Sequence, residues 1–373
     1  MQTRRQFLVT LAGGAAALAV SGCGSSASSS NGLTPSQTAA IDALANAQAG
    51  TTTPGVQLGI SCKGNILLMR GYGERTLAPN APMLANTPMR IGSVTKQFTV
   101  ACILLLQERG LLSVDDPLSK YVPEISYGNQ ITLRNMLNNV SGLTPDATVL
   151  FNPPVPFTET TPSEYLTRLN QQPLVFAPGT EYQYSNPNFW LAGLIVERVS
   201  QMSYSAFLQS QILSNAGLVS SYVVGSQPDV NAALGYNPVE GGTGFVLATP
   251  WADSYLFSTG GLVSTVADIL TWNISLTSGL ILNPSSLATM FQVPVLASGA
   301  KTSYAMGWLV GQNVTWHNGQ LYGFHAMNAM FADGYNVVAL GNEGDSTNLW
   351  SPENLAVAVH AVLNPDLQVK LLP

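Results

Sequence analysis

Residues Ser93 to Arg109 form a run that is apolar on nearly every side, through Val94, Phe98, Val100, Ala101, Ile103, Leu104, Leu105 and Leu106, and it stops at Gly110. A helix without a polar face cannot lie on a surface and has to be enclosed, and a glycine is its natural C-terminal stop. The chain has the material to enclose it: 373 residues, 46% of them hydrophobic, enough for one large domain or two joined lobes. Near its start this helix carries a lone cation, Lys96. An ammonium in apolar surroundings is costly unless it is paired, neutralised or put to use. A side chain that snorkels to solvent from the helix start is the ordinary alternative.

Ser93 lies three residues before Lys96, so on a helix the two share one face, a turn apart. In the first turn, free backbone N–H groups and the positive dipole end favour a developing oxyanion. A serine hydroxyl is a poor nucleophile until a neighbouring base takes its proton, and a buried lysine can have its pKa lowered far enough to do so. Ser298 and Lys301 repeat the spacing in a stretch of small residues. The apolar helix around Lys96, not the spacing, therefore carries the signal.

Two further clusters fit the same chemistry. Tyr184-Ser185-Asn186 follows Pro178-Gly179-Thr180-Glu181; a phenol near Lys96 can pass a proton to a leaving group, and a carboxamide can orient a substrate amide. Core packing of the Tyr184 ring is the plainer alternative, and Tyr127-Gly128-Asn129 matches the pattern without the Pro-Gly approach. His317-Asn318-Gly319-Gln320 ends a short strand. Gly319 would let backbone come close to a ligand, and the Gln320 N–H with that of Ser93 could form an oxyanion hole. Lys301-Thr302-Ser303 lacks the glycine.

Other chemistries are disfavoured. No Gly-x-Ser-x-Gly elbow is present. His317, His325 and His360 fall on separate elements, with no His-Glu-x-x-His, P-loop or dinucleotide fingerprint, so neither a metal nor a cofactor is expected. His325 reads as a satisfied strand histidine and His360 as helix surface. With 9% charged residues, a net charge of −6 and no Lys/Arg cluster, a nucleic-acid partner is not expected.

Along the body, Thr34-Pro35 opens a helix to about Gln48, and residues 56–62 and 66–72 alternate as a hairpin around Lys63-Gly64-Asn65. From Asp115 to about Val230 the patterns are helical, including 131–138 and 188–202. Strand signals return at 304–310, 314–317, 325–331 and 337–340, before a last helix from Ser351-Pro352-Glu353 to about Leu363. Strands first and last with helices between predict an α+β fold, an antiparallel sheet closed by both chain ends and flanked by helices, with a mostly helical inserted lobe. Cys62 and Cys102 stand in apolar runs and read as buried thiols.

Taken in order, the three clusters resemble the serine β-lactamase and D-Ala-D-Ala-peptidase superfamily, nearest its class C and carboxypeptidase/esterase branch. The resemblance covers residues 35 to 363 and includes Ile131-Thr132-Leu133-Arg134, Ser141-Gly142-Leu143 and Gly260-Gly261-Leu262-Val263-Ser264-Thr265, where Thr265 and Asp268 also read as a capping box. It implies that Ser93 is acylated, that Lys96 and Tyr184 carry protons, that Asn186 contacts substrate, and that His317 binds a substrate carboxylate or assists Tyr184. Class C lactamases resemble one another in having lysine where this chain has His317 and threonine or serine where it has Asn318; relatives commonly have histidine at Asn139. A mostly neutral imidazole attracts a carboxylate less than an ammonium does, which favours a peptidase or esterase over an efficient lactamase. The expected partner is a small-molecule or peptidoglycan-peptide substrate. A non-catalytic lipoprotein that keeps the fold as a binding or cell-wall scaffold is the alternative, and the presence of Ser93, Lys96 and Tyr184 together argues against it.

Residues 1–22 read as an address: Thr3-Arg4-Arg5-Gln6-Phe7-Leu8 is a twin-arginine pattern, followed by a short apolar stretch. Val20-Ser21-Gly22-Cys23 resembles a bacterial lipobox, which makes Cys23 the expected lipidation site. Residues 23–33, rich in Ser and Gly, read as a flexible tether, and 34–373 as the folded domain. The expected location is periplasmic, anchored to a membrane through Cys23, the outer membrane being favoured because Gly24 is not an aspartate.

Overall fold

The computed structural model describes residues 32–145, 147–150, 157–344 and 351–372. The twin-arginine stretch, Cys23 and nearly all of the tether lie outside these residues. Helix α1 (Pro35–Asn46) starts as its sequence dictates: the Thr34 side chain accepts from the backbone of Gln37, whose own side chain accepts from Thr34 N. Strands β1 (Gly55–Cys62) and β2 (Asn65–Leu77) form a hairpin whose central residues, Lys63 and Gly64, both have positive φ. That geometry matches the twist of paired strands.

After β3 (Asn80–Pro82) the chain leaves the sheet, and it returns as β4 (Tyr304–Ala305), β5 (Trp308–Val310), β6 (Val314–Leu321), β7 (Phe324–Phe331) and β8 (Tyr335–Gly341). The eight strands are antiparallel in the order β3-β2-β1-β8-β7-β6-β5-β4. Early and late segments meet in the middle, with Val56 opposite Gly341 and Cys62 opposite Tyr335. The expected strand over 304–310 is split in two by a turn at Met306–Gly307.

Every residue of β1 is buried, so both sheet faces are covered. Helix α2 (Thr95–Glu108) is buried along nearly its whole length, as its sequence requires. The inserted lobe includes α3 (Leu133–Leu137), α4 (Pro162–Asn170), α5 (Asn186–Ser200) and α6 (Asp253–Gly260). Helix α7 (Val266–Thr277) packs on β1 and β8, and α8 (Pro352–Leu363) packs on α1 and the same sheet. A buried amide cluster ties α2 to this frame. Asn273 of α7 and Asn328 of β7 exchange bonds of 2.7 and 2.9 Å, and Asn328 Nδ2 also donates to Gln97 Oε1 at 3.0 Å. Hydrogen bonds of this kind are costly to break when buried, so they fix the residue next to Lys96 against the sheet.

Three expectations need correction. His360 is not on the surface: it is 1% exposed, its Nε2 is 3.0 Å from Asp333 Oδ2, and its ring stacks on Phe331. The helix presents that residue inward because α8 lies on the sheet. Thr265 does cap α7 through Asp268 N, but the Asp268 carboxylate turns away to Ser220 N and Ser221 Oγ, so the capping box is half formed. Cys102 is a buried free thiol as expected, whereas Cys62 is disulfide-bonded; the two do not bridge each other.

Candidate active site

Ser93 is held where two backbones touch. Ile91 N donates to Leu262 O at 3.0 Å, after which the chain turns through Gly92, at φ +52°, into a short 3₁₀ turn that leads into α2. A Cβ on Gly92 would lie 3.0 Å from Gln320 N, and one on Gly319 would lie 1.9 Å from Ile91 O and 2.8 Å from Ser93 N. Only glycines allow that approach. They bring the amides of Ser93 and Gln320 to one corner.

Lys96 is fully buried, and its Nζ has three partners: Ser93 Oγ at 2.9 Å, Asn186 Oδ1 at 2.9 Å and Thr259 O at 2.8 Å. Burial pushes its pKa well below the usual lysine value of 10.5. A neutral amine has two N–H groups and one lone pair. Asn186 Oδ1 and Thr259 O can only accept, so they take the two N–H groups. When the amine is deprotonated, its lone pair is left for the hydroxyl of Ser93, which is the arrangement a general base needs.

Tyr184 and Asn186 are positioned from behind by Asn139. At φ +56°, Asn139 accepts from Ser185 N through Oδ1 at 3.1 Å and from Gln183 N through its carbonyl at 3.0 Å; its Oδ1 also accepts from Asn188 Nδ2 at 2.9 Å. Ser185 Oγ donates to Thr144 O, and Ser141 Oγ to Asn188 Oδ1. The Ser141-Gly142 stretch thus braces the Tyr184 segment. The Tyr184 ring lies 4.9 Å from Lys96 Nζ. Its buried hydroxyl faces Ser93 without completing a hydrogen bond, and burial pushes the phenol up, so it stays protonated.

His317 lines the pocket but is not a cation. Burial pushes its pKa down to about 3. Nδ1 contacts the Asn318 carbonyl, which only accepts, so the proton sits on Nδ1. Nε2 therefore accepts from the Tyr304 hydroxyl at 3.0 Å. Neither ring nitrogen is free to hold a substrate carboxylate. Asn318 Nδ2 donates to Glu353 Oε1 at 2.8 Å, and the same oxygen lies 3.0 Å from His325 Nε2; His325 is thus a paired strand residue.

Ser93, Tyr184, Asn186, His317 and Gln320 open onto one pocket of about 320 Å³, with Lys96 behind Ser93 and Gly319 packed beneath it. Trp251, Tyr255, Leu256, Leu309 and Leu321 complete much of the wall. The lookalikes fall elsewhere: Tyr127 donates to Leu169 O, and Lys301 forms an isolated bridge with Val295. Sequence reasoning missed Tyr304, Thr259 and the aromatic wall. Thr259 precedes the Gly260-Gly261 pair and could have been suspected from it; the others come from distant segments. Among the described residues no group of three His, Cys, Asp or Glu is close enough to hold a metal ion.

A family model described as Beta-lactamase matches residues 41–365. The chain belongs to the beta-lactamase family. Within it, the chain is 26% identical over 312 residues to Protein flp of Staphylococcus aureus (strain MRSA252), covering 78% of this chain and 59% of that protein, less than two thirds of its length. Among solved structures, D-amino acid amidase from Ochrobactrum anthropi SV3, complexed with L-phenylalanine amide, superposes with a TM-score of 0.76 at 22% identity, over 88% of this chain and 99% of that one. The octameric penicillin-binding protein homologue from Pyrococcus abyssi gives 0.73 at 24% identity, over 88% and 76%. The family membership and the α+β architecture expected from the sequence both hold.

Proposed function

We propose that the protein is a serine hydrolase that cleaves an amide or ester through an acyl-enzyme on Ser93. The observation that carries this is the lysine geometry, in which Lys96 Nζ meets two carbonyl acceptors and the Ser93 hydroxyl, so that the deprotonated amine has its lone pair left for that hydroxyl. Lys96 takes the Ser93 proton as Oγ bonds to the substrate carbonyl carbon. The oxyanion forms beside the N–H groups of Ser93 and Gln320. As the carbon–leaving-group bond breaks, protonated Tyr184 gives its proton to the departing atom and regains one from Lys96. Water then repeats the sequence on the ester. The names of the amidase and penicillin-binding relatives agree with acyl transfer at a carbonyl, and the neutral His317 weighs against an efficient lactamase.

The test is intact mass after brief exposure to an activated acyl ester, with wild type beside Ser93→Ala. A transient adduct on wild type alone is expected, with the variant's Tm within a few degrees because one hydroxyl is lost. Turnover by Ser93→Ala would remove Ser93 from its role.

A further inference from the structure

We infer that the pocket selects an uncharged acyl donor carrying an aromatic or branched apolar group and rejects one with a carboxylate near the scissile bond; this rests on Ser93 being the acylated residue.

The first argument is charge. No lysine or arginine lines the pocket, and the residues between 32 and 373 that the structure does not describe contain none. Lys96 has its three nitrogen contacts inside the protein. Both ring nitrogens of His317 are occupied. The Asn318 amide, on the pocket lining, is already committed to Glu353; burial works to raise the Glu353 carboxyl, and bonds from His325 and Asn318 bring it below its usual value. A carboxylate entering here would lose its water and meet no counter-ion, an unfavourable exchange.

The second argument is the wall. Trp251 and Tyr255 meet edge to face at 5.2 Å, Tyr322 lies 5.5 Å from Trp251, and Phe157 lies 5.6 Å from Tyr322. This arc spans from the helical lobe to the turn after β6, two residues past Gln320. Phe157 and Tyr322 remain 40% and 45% exposed. The arc is braced: Glu159 accepts from Asp253 N at 2.9 Å and Ser254 N at 3.0 Å, and Trp190 Nε1 donates to Ser254 O at 3.0 Å. Leu256, Leu309 and Leu321 add hydrocarbon. A ring or branched chain gains area burial and edge contacts against such a surface.

The test uses three p-nitrophenyl esters, acetyl, phenylacetyl and hemisuccinyl, whose shared leaving group cancels in ratios of kcat/KM. Wild type is expected to favour phenylacetyl over acetyl by about tenfold or more, the scale of apolar-pocket discrimination, and to turn over hemisuccinyl more slowly than acetyl. Trp251→Ala should bring the phenylacetyl-to-acetyl ratio toward one, Trp251→Phe should keep most of it, and His317→Lys should raise the hemisuccinyl-to-acetyl ratio. Hemisuccinyl matching or exceeding acetyl in wild type, or an unchanged ratio in Trp251→Ala, overturns the inference alone. If no ester leaves an adduct on Ser93, the acyl-enzyme reading falls and takes the inference with it.

Discussion

Asn186 Oδ1 accepts from Lys96 Nζ at 2.9 Å, and this bond decides which side of the amine the Ser93 hydroxyl meets. Asn186→Asp would replace a neutral acceptor by a carboxylate at the same distance. The ammonium is then stabilised, the Lys96 pKa rises, and the lone pair is lost at neutral pH. Activity at pH 7 should fall by roughly a hundredfold, and the acid limb of kcat/KM should move to higher pH, with activity partly recovered in alkali. A pH–rate profile checks this; a uniform loss with an unmoved limb would reduce Asn186 to a structural part.

Lys96→Met should abolish turnover and stabilise the fold. The folded-state pKa of Lys96 is depressed, so wild type loses stability as pH falls from the unfolded-state value near 10.5 through the folded one. Methionine removes that burden, each unit of pKa depression being worth about 1.4 kcal/mol. Loss of the bonds to Asn186 and Thr259 offsets part of the gain, so we expect about 1 kcal/mol net at neutral pH. Calorimetry at several pH values should show the advantage largest in acid and shrinking toward pH 10.5.

Substitution of Asn139 separates a backbone effect from a bonding effect. Alanine leaves Ser185 N and Asn188 Nδ2 without their acceptor and must also adopt φ +56°. A cost of about 2–3 kcal/mol follows from the unpaired groups and the strained backbone. Glycine loses the same amide without the strain and should cost about 1 kcal/mol less. Urea unfolding measures the difference, while kcat should fall alike in both because the Tyr184–Asn186 segment loses the same brace.

We propose that Cys23 carries a lipid and anchors the exported protein. Cys23→Ala should then release the protein from the membrane fraction.

The Ser93–Lys96 pair was legible because helical spacing is local and an isolated lysine in apolar sequence is conspicuous. That both chain ends share one antiparallel sheet was legible because alternation marked them. The state of His317 was not: it depends on Tyr304 and the Asn318 carbonyl around it, and on enclosure by aromatic residues that no local pattern assembles. The aromatic arc joins positions 157, 251, 255 and 322, each unremarkable alone. His360 was misplaced for a related reason, since its partner Asp333 lies in a turn after β7 and a helical pattern names no partner across space. The break at Gly307 lay hidden in a run whose apolar residues fit one strand or two.

Gly55 N donates to Asn342 Oδ1 at 2.7 Å, across 287 positions of chain. The central seam of the sheet therefore stays open on the ribosome until the last strand has been made. Until then the segment that bears Ser93 and Lys96 has no completed sheet beside it. A chain cut short before β8 therefore lacks the central strand of the frame that carries Ser93 and Lys96.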